Sequence, residues 1–399
     1  MEGFVVLGEA DALARYDRQL RLEGWDQNRL LSGRVIIAGV GALGCEVAKN
    51  LSLMGVGELL LIDNDYVELS NLSRQMLYTD QDIGRPKAST AEKKISMMNP
   101  LVKVKGLQTD VRKIPEETFA EADVIVSAVD NWPTRRWINS MAVHVGTPLV
   151  DVATDGYYGN VQTVIPRVTS CLECHAEVLI PSDIQASECS LRRRTPNDLV
   201  KDLSERGISI NFSDAEALFQ HNIKTVYDIK FAPQTVLEQM DKTLREQVIQ
   251  LRSLLNPKMP ALQSISATVS GLAAFEVVRI LHRGSLGRTL NGMMVFDGLK
   301  GRLTRVKLER NVNCHVCGYS EEKPMQINVA PNETVADLRE RISNLLMFPD
   351  TRLQHGSKLL EDQTEIASAG IADGDILYIH SSRRATPVAV KVKLVEAGD

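Results

Sequence analysis

Three glycines at GxGxxG spacing, Gly39, Gly41 and Gly44, follow the apolar run Val35-Ile36-Ile37-Ala38 and open a helical segment that reaches Met54. A second apolar run, Leu59-Leu60-Leu61-Ile62, ends on Asp63. Glycines in that pattern let backbone N–H groups approach a phosphate, and the helix N-terminus favours its negative charge. An acid about twenty residues past the last glycine can accept from ribose hydroxyls. The residues therefore describe a nucleotide site, and the fingerprint alone fits NAD as well as ATP.

What lies beyond Asp63 separates the two. Two cations, Arg74 and Lys87, and two amides, Asn71 and Gln75, follow it. In a doubly wound sheet that is the carboxyl edge, where ligands bind. Cations there suit a triphosphate better than a nicotinamide ring, and no hydride-site constellation is present. Asp130, followed by Asn131, ends another strand candidate, Val124–Ser127. An acid so placed is a natural Mg²⁺ ligand, or else the N-cap of a helix starting at Trp132.

The six cysteines have their own pattern. Cys171 and Cys174 form CLEC, and Cys314 and Cys317 form CHVC. Two C-x-x-C pairs make a tetrahedral Zn²⁺ site, with His315 a bystander. The alternative is two unrelated pairs or a redox motif. Cys45, on the helix after the glycine loop, reads as a small buried hydrophobe. Cys189 stands before Arg192, Arg193 and Arg194, cations that favour a thiolate. It is a candidate nucleophile, or an incidental surface thiol.

Alternating apolar runs and helical segments must position these groups. A helix is expected over 8–32, with Arg15 and Arg18 on one face, then a loop over Tyr66–Ile83 and a helix from Lys87. Strands follow at Val102–Val104 and Val124–Ser127, a helix at 132–146, a strand at Leu149–Ala153 and a β-rich piece over Tyr157–Pro166. Thr195 to Met259 reads as helical, including an apolar stripe from Val236 to Leu255. A long apolar helix follows Pro260, where Ala267, Gly271, Ala273 and Ala274 imply close backbone approach. Strands near 292–297 and 303–308 lead to the second cysteine pair. After the polar stretch Tyr319–Pro324 comes a strand, a helix and further short strands, with an additional strand candidate at Val388–Leu394.

A chain of 399 residues, 44% apolar and 24% charged, is ordinary globular protein of two or three domains. Its net charge of −5 argues against a nucleic-acid partner. No membrane span is expected, since no uninterrupted apolar run approaches about 18 residues. The acidic N-terminal stretch lacks a signal-peptide pattern, so a cytoplasmic location is expected.

The motifs GVGALGCEVAKNL, LIDNDYVELSNLSRQ, IGRPKAS and AVDN resemble the adenylation domain of the E1 family. That family comprises the activating enzymes of ubiquitin and ubiquitin-like proteins and the adenylyltransferases of sulfur-carrier proteins. The resemblance runs from about residue 10 to 310. It implies a dimeric, doubly wound α/β fold that binds Mg-ATP and adenylates a C-terminal glycine. It implies that Gly39, Gly41 and Gly44 form the phosphate loop and Asp63 holds the ribose. Asn71, Arg74 and Lys87 would contact phosphates, Gln75 and Asn131 would lie beside them, and Asp130 would support Mg²⁺. Arg18 resembles the family's arginine finger, delivered across the dimer. Distant C-x-x-C pairs holding zinc, and a cysteine near Cys189 that accepts the activated protein as a thioester, are also features of E1-like proteins.

The C-terminal segments QINV, VADLRERI, LQHGSKLLED and GIADGDILYIH look like a ubiquitin-type β-grasp domain. Because the chain ends VKVKLVEAGD, without a glycine tail, the resemblance implies a domain that recruits an E2 conjugating enzyme rather than the cargo itself. The expected domains are 1–188 with 260–318 for adenylation and zinc, a helical catalytic-cysteine insert at 189–259, and the ubiquitin-fold domain at 324–399. The expected partners are a ubiquitin-like protein ending in Gly-Gly, an E2 and a second copy of the chain. The first rival is a sulfur-carrier adenylyltransferase that stops at the acyl-adenylate or thiocarboxylate. The second is a non-catalytic scaffold, disfavoured because Arg74, Lys87 and Asp130 are all present.

Overall fold

The computed structural model describes residues 13–179, 195–221, 223–231, 234–255, 260–319, 323–346, 348, 350–382 and 384–395. The chain divides into two compact units, the first comprising Met1–His175, Ala261–Glu322 and Ser382–Thr386. Its sheet is built from β1 (Arg34–Ala38), β2 (Glu58–Ile62), β3 (Lys103–Leu107), β4 (Val124–Ser127), β5 (Leu149–Asp155), β6 (Tyr158–Val164), β7 (Gly292–Asp297) and β8 (Arg302–Val306). The order across the sheet is β3-β2-β1-β4-β5-β6-β7-β8. Strands β3 to β5 in that order run parallel, and β6, β7 and β8 add on antiparallel. Runs such as Val124–Ser127 are buried at every position, as parallel strands covered on both faces must be.

Four helices cover this sheet: α1 (Ala42–Met54), α2 (Lys87–Met98), α3 (Trp132–Val145) and α4 (Gln263–Leu281). Among the described residues α4 is the one helix long and apolar enough to cross a bilayer, but 56% of its apolar window is buried inside the protein. It packs on α1, β5 and β6, as the expected central helix. The close approach comes from the sheet side rather than from Gly271, whose surroundings are open. A Cβ on Gly159 of β6 would lie 2.4 Å from Val269 Cγ2.

The helix expected over 8–32 is, in its described part, two short helices, Asp17–Leu20 and Gln27–Leu31. Gly24 takes φ +76° and breaks the run. Asp26 then caps the second helix by accepting from the Asn28 N–H at 3.1 Å. Tyr16 and Gln19 fasten the first helix to the core, through Asn99 Nδ2 to Tyr16 Oη at 2.9 Å and Gln19 Nε2 to the Met54 carbonyl at 2.7 Å.

The second unit comprises Ala176–Pro260, Lys323–Ser381 and Pro387–Asp399. Residues 382–386, between its last two segments, belong to the first unit. Its helical part closes a core of its own around Leu199, Leu218, Ile229, Leu244, Val248 and Leu251. The stripe from Val236 to Leu255 is thus packing surface, split into Gln234–Glu238 and Lys242–Leu255. Asp241 makes the break by accepting from the Leu244 N–H at 3.0 Å.

The other part is a five-stranded sheet of β9 (Met325–Val329), β10 (Arg352–His355), β11 (Lys358–Leu359), β12 (Ile376–His380) and β13 (Val388–Leu394), with the helix α5 (Val335–Leu346). The order is β11-β10-β12-β13-β9. The additional strand β13 lies inside the sheet, antiparallel to β12 and parallel to the edge strand β9. Helix α5 buries Val335, Leu338, Ile342 and Leu346, one face at helical spacing.

Candidate active site and metal centre

Strand register assembles the site. Ala38 stands level with Ile62 on β2 and with Ser127 on β4. The next residues, Gly39, Asp63 and Ala128, therefore leave the sheet on one line. β1 sits between β2 and β4, so this line is the topological switch point, where α/β sheets bind ligands. Gly39 takes φ +87°, and a Cβ there would lie 2.7 Å from the Ala128 carbonyl oxygen. Gly44 lets α1 close on the loop, since its Cβ would overlap the Gly39 carbonyl. Gly41 faces a different environment. Its Cβ would meet only Gln75 Nε2, at 3.8 Å, so the space beside Gly41 at the start of α1 is open.

Asp63 locks this loop. Its carboxylate accepts from the Val40 N–H at 2.7 Å and the Asp65 N–H at 2.8 Å. Burial raises its carboxyl above the ordinary value, against the pull of Lys87 and those N–H groups. Lys87 arrives because the segment before α2 folds back on the segment after β2. Tyr66 bridges Pro86, the Val67 N–H donates to Arg85, and the Lys87 N–H donates to the Asp65 carbonyl at 2.9 Å. Lys87 Nζ then pairs with Asp65 at 3.0 Å. Burial works against its charge, but Asp63, Asp65 and Asp130 more than offset that, and the ammonium titrates above the ordinary lysine value.

Asn71 and Gln75 are both buried. Asn71 Oδ1 caps its own turn by accepting from the Glu68 N–H at 3.0 Å. Gln75 Oε1 is buried with no hydrogen-bond partner, an orphaned acceptor beside the Gly41 loop. Half-buried Arg74 donates to the Ser70 carbonyl at 2.6 Å and has no ion pair among the described residues.

Asp130 is exposed, and the cap of α3 is Asn131, whose Oδ1 accepts from the Thr134 N–H at 3.0 Å. The helix-cap alternative for Asp130 therefore fails, and its carboxylate faces outward. Asn131 is committed to the cap. Arg18 is exposed and has no hydrogen bond or ion pair among the described residues, so none of them ties it to the loop.

Three contributors were not singled out from sequence. Asp65 holds Lys87. The Tyr78 hydroxyl lies 2.9 Å from the Val40 carbonyl and 3.2 Å from the Lys87 carbonyl, joining loop to helix. Arg135 pairs with buried Asp151 at 2.6 Å and donates to the Val129 carbonyl at 2.5 Å, fixing the chain just before Asp130. A second acid two residues beyond Asp63, and a cation in the first turn after Asp130, were the available signals.

The four paired cysteines meet. Cys171 and Cys314 Sγ atoms are 3.7 Å apart, Cys174 and Cys317 3.4 Å, and Cys171 and Cys174 3.9 Å. All four sulfurs lie within 4.8 Å of one another and all four residues are buried. Zn–S bonds of about 2.3 Å in a tetrahedron put sulfurs about 3.8 Å apart, so the donor set fits a closed structural zinc site. His315 lies outside the set, 3.5 Å from Glu173. Glu173 is fastened by Arg136 of α3, Nη2 to Oε2 at 2.8 Å. Cys45 is wholly buried, and burial pushes its thiol up to about 12, as expected of an inert packing residue. Cys189, with Arg192, Arg193 and Arg194, lies outside the described residues.

Comparison with known proteins follows the same site. The Nedd8-activating enzyme E1 catalytic subunit of Drosophila melanogaster is 27% identical over 331 residues, 76% of this chain and 70% of that protein. Ubiquitin-activating enzyme E1 1 of Triticum aestivum is 38% identical over 189 residues, 45% of this chain and 18% of that protein. The chain thus spans a minor part of the wheat enzyme's length. The crystal structure of E. coli MccB has the same fold at TM-score 0.51 and 20% identity, covering 74% of this chain and 67% of that one. The ThiF family profile matches residues 16–316. That match covers well over half of the chain, from the Arg18 turn to beyond Cys314, and the chain belongs to the ThiF family.

Proposed function

We propose that the chain activates a ubiquitin-like protein ending in Gly-Gly by ATP-dependent adenylation and then carries it as a thioester. The observation that carries this reading is the convergence of the open Gly41 loop, Asp63, Lys87 and outward-facing Asp130 on one sheet edge. Loop N–H groups and Lys87 bind the triphosphate, with Arg74 and the Asn71 and Gln75 amides beside it, and Asp63 takes the ribose. Asp130 holds Mg²⁺, which supplies charge stabilisation when bound. A terminal glycine carboxylate oxygen attacks the α-phosphorus, the bond to the β-phosphate bridging oxygen breaks, and pyrophosphate leaves.

The Cys189 thiolate then attacks the acyl carbon and AMP leaves. An E2 thiol takes the acyl group in a second exchange while docked on residues 324–399, whose strand–helix–sheet content supports a ubiquitin-fold reading. Arg18, exposed and without an ion pair among the described residues, supports its delivery to the site of a second copy in a homodimer. The tetracysteine cluster holds a structural Zn²⁺.

Intact mass spectrometry without reductant, on enzyme mixed with Mg-ATP and a ubiquitin-like protein ending in Gly-Gly, tests the proposal. The expected result is a mass increase of one cargo, removed by thiol and absent in Cys189→Ala. Pyrophosphate release with no adduct would instead assign a sulfur-carrier adenylyltransferase.

A further inference from the structure

We propose that Arg384 is the outer charge partner of the tetracysteine centre, so that metal binding and the seating of residues 384–386 are linked. The inference rests on the zinc reading above and extends it to a residue from between β12 and β13. Four thiolates around Zn²⁺ leave roughly two negative charges in a buried place, and buried charge requires a nearby partner. The cysteines themselves have little help, the Asn311 N–H donating to Cys174 Sγ at 3.4 Å. Arg136, a buried arginine close by, is committed to Glu173.

Arg384 is placed to supply the missing charge. Its Nη1 donates to the carbonyl of His315, between Cys314 and Cys317, at 2.5 Å. Its Nε is buried with no hydrogen-bond partner among the described residues. It lies near enough to Cys171, Cys314 and Glu173 for their charges to act on it. The next residue holds it there. The Ala385 N–H donates to Ser140 Oγ at 3.0 Å, and Ala385 packs against the cluster that contains all four cysteines and Trp137. These contacts explain why Ser382–Thr386 belongs to the first compact unit although β12 and β13 belong to the second.

Partners outside the metal's ligand set commonly change metal affinity by about 10- to 100-fold when removed. Full-length protein would first be assayed for zinc, with one ion per chain expected; a metal-free wild type would overturn the zinc reading and this proposal together. Zinc transfer to a chromophoric chelator would then be timed for wild type, Arg384→Gln and Arg384→Lys. The expectation is release about 10- to 100-fold faster for Arg384→Gln, with Arg384→Lys near wild type. Unchanged release from a natively folded Arg384→Gln would overturn the charge role while leaving the zinc site standing. So would equal acceleration in both variants. Should Arg384→Gln fail to fold, hydrogen exchange of the Ala385 amide in wild type decides: protection lost on zinc removal supports the linkage, and protection retained overturns it.

Discussion

Lys87 stands among three carboxylates, Asp63, Asp65 and Asp130, of which Asp130 makes among the described residues only a 3.4 Å hydrogen bond, accepted from Asn131 Nδ2. Asp63 secures the glycine loop and Asp65 holds the ammonium. Changes at Asp130 should therefore separate chemistry from stability. Asp130→Ala is expected to abolish ATP–pyrophosphate exchange while leaving the unfolding free energy within about 0.5 kcal/mol of wild type. Its neighbour should do the reverse, since Asn131→Ala removes a helix cap at a cost of about 1 kcal/mol. Normal exchange in Asp130→Ala would remove Asp130 from the metal role. The meeting of Gly39, Asp63 and Lys87 at one sheet edge was legible in sequence because glycine spacing and strand ends register that edge directly. Asp65, Tyr78 and Arg135 were not. Tyr78 carried no signal, and the acid at Asp65 and the cation at Arg135 gain their partners only once the chain has folded.

At the scale of elements, the segment between β2 and α2 must hold Lys87, and Asp82 is its fastening. The buried carboxylate of Asp82 accepts from the Thr79 N–H at 2.9 Å and the Thr79 hydroxyl at 2.8 Å, and pairs with Lys94 of α2 at 3.0 Å. Burial pushes this carboxyl up, but the Thr79 and Lys94 bonds outweigh it and hold the group below its ordinary 3.8. A depressed folded-state value means the unfolded chain binds the proton more readily. The fastening thus contributes fully above about pH 4, weakens as pH falls below that, and is gone once the folded carboxyl is protonated. Asp82→Asn is expected to cost about 1–3 kcal/mol in urea melts at pH 7, with the gap to wild type closing progressively below pH 4. A gap unchanged down to pH 2 would exclude a charge-based role. Strand and helix order was readable here because apolar runs and periodicity register burial directly. The N-terminal helix was misread because its leucines kept a helical period across Gly24, whose positive φ no periodicity reveals.

The whole molecule carries separate cores, and that separation shapes what a single lesion can do. The adenylation sheet buries Ile37, Val126 and Val152, while the C-terminal sheet buries Leu377, Ile379 and Val390. Sequence composition gives 324 as the start of the C-terminal module, whereas the seat of 382–386 in the first unit is made by tertiary contact, which local composition does not mark. Leu377 is fully buried near the start of β12, on the strand that pairs with both β10 and β13. An aspartate there would place an unpaired charge in an apolar layer, which a module of this size cannot absorb. Leu377→Asp is therefore expected to abolish the unfolding transition of the C-terminal sheet in calorimetry while the larger transition of the first unit persists. Because the glycine loop, Lys87 and Asp130 all belong to the first unit, ATP–pyrophosphate exchange should survive in this variant. Transfer of the activated protein to an E2 should be lost if residues 324–399 provide the docking surface. Transfer at the wild-type rate, with the sheet demonstrably unfolded, would assign E2 docking to another surface of the chain.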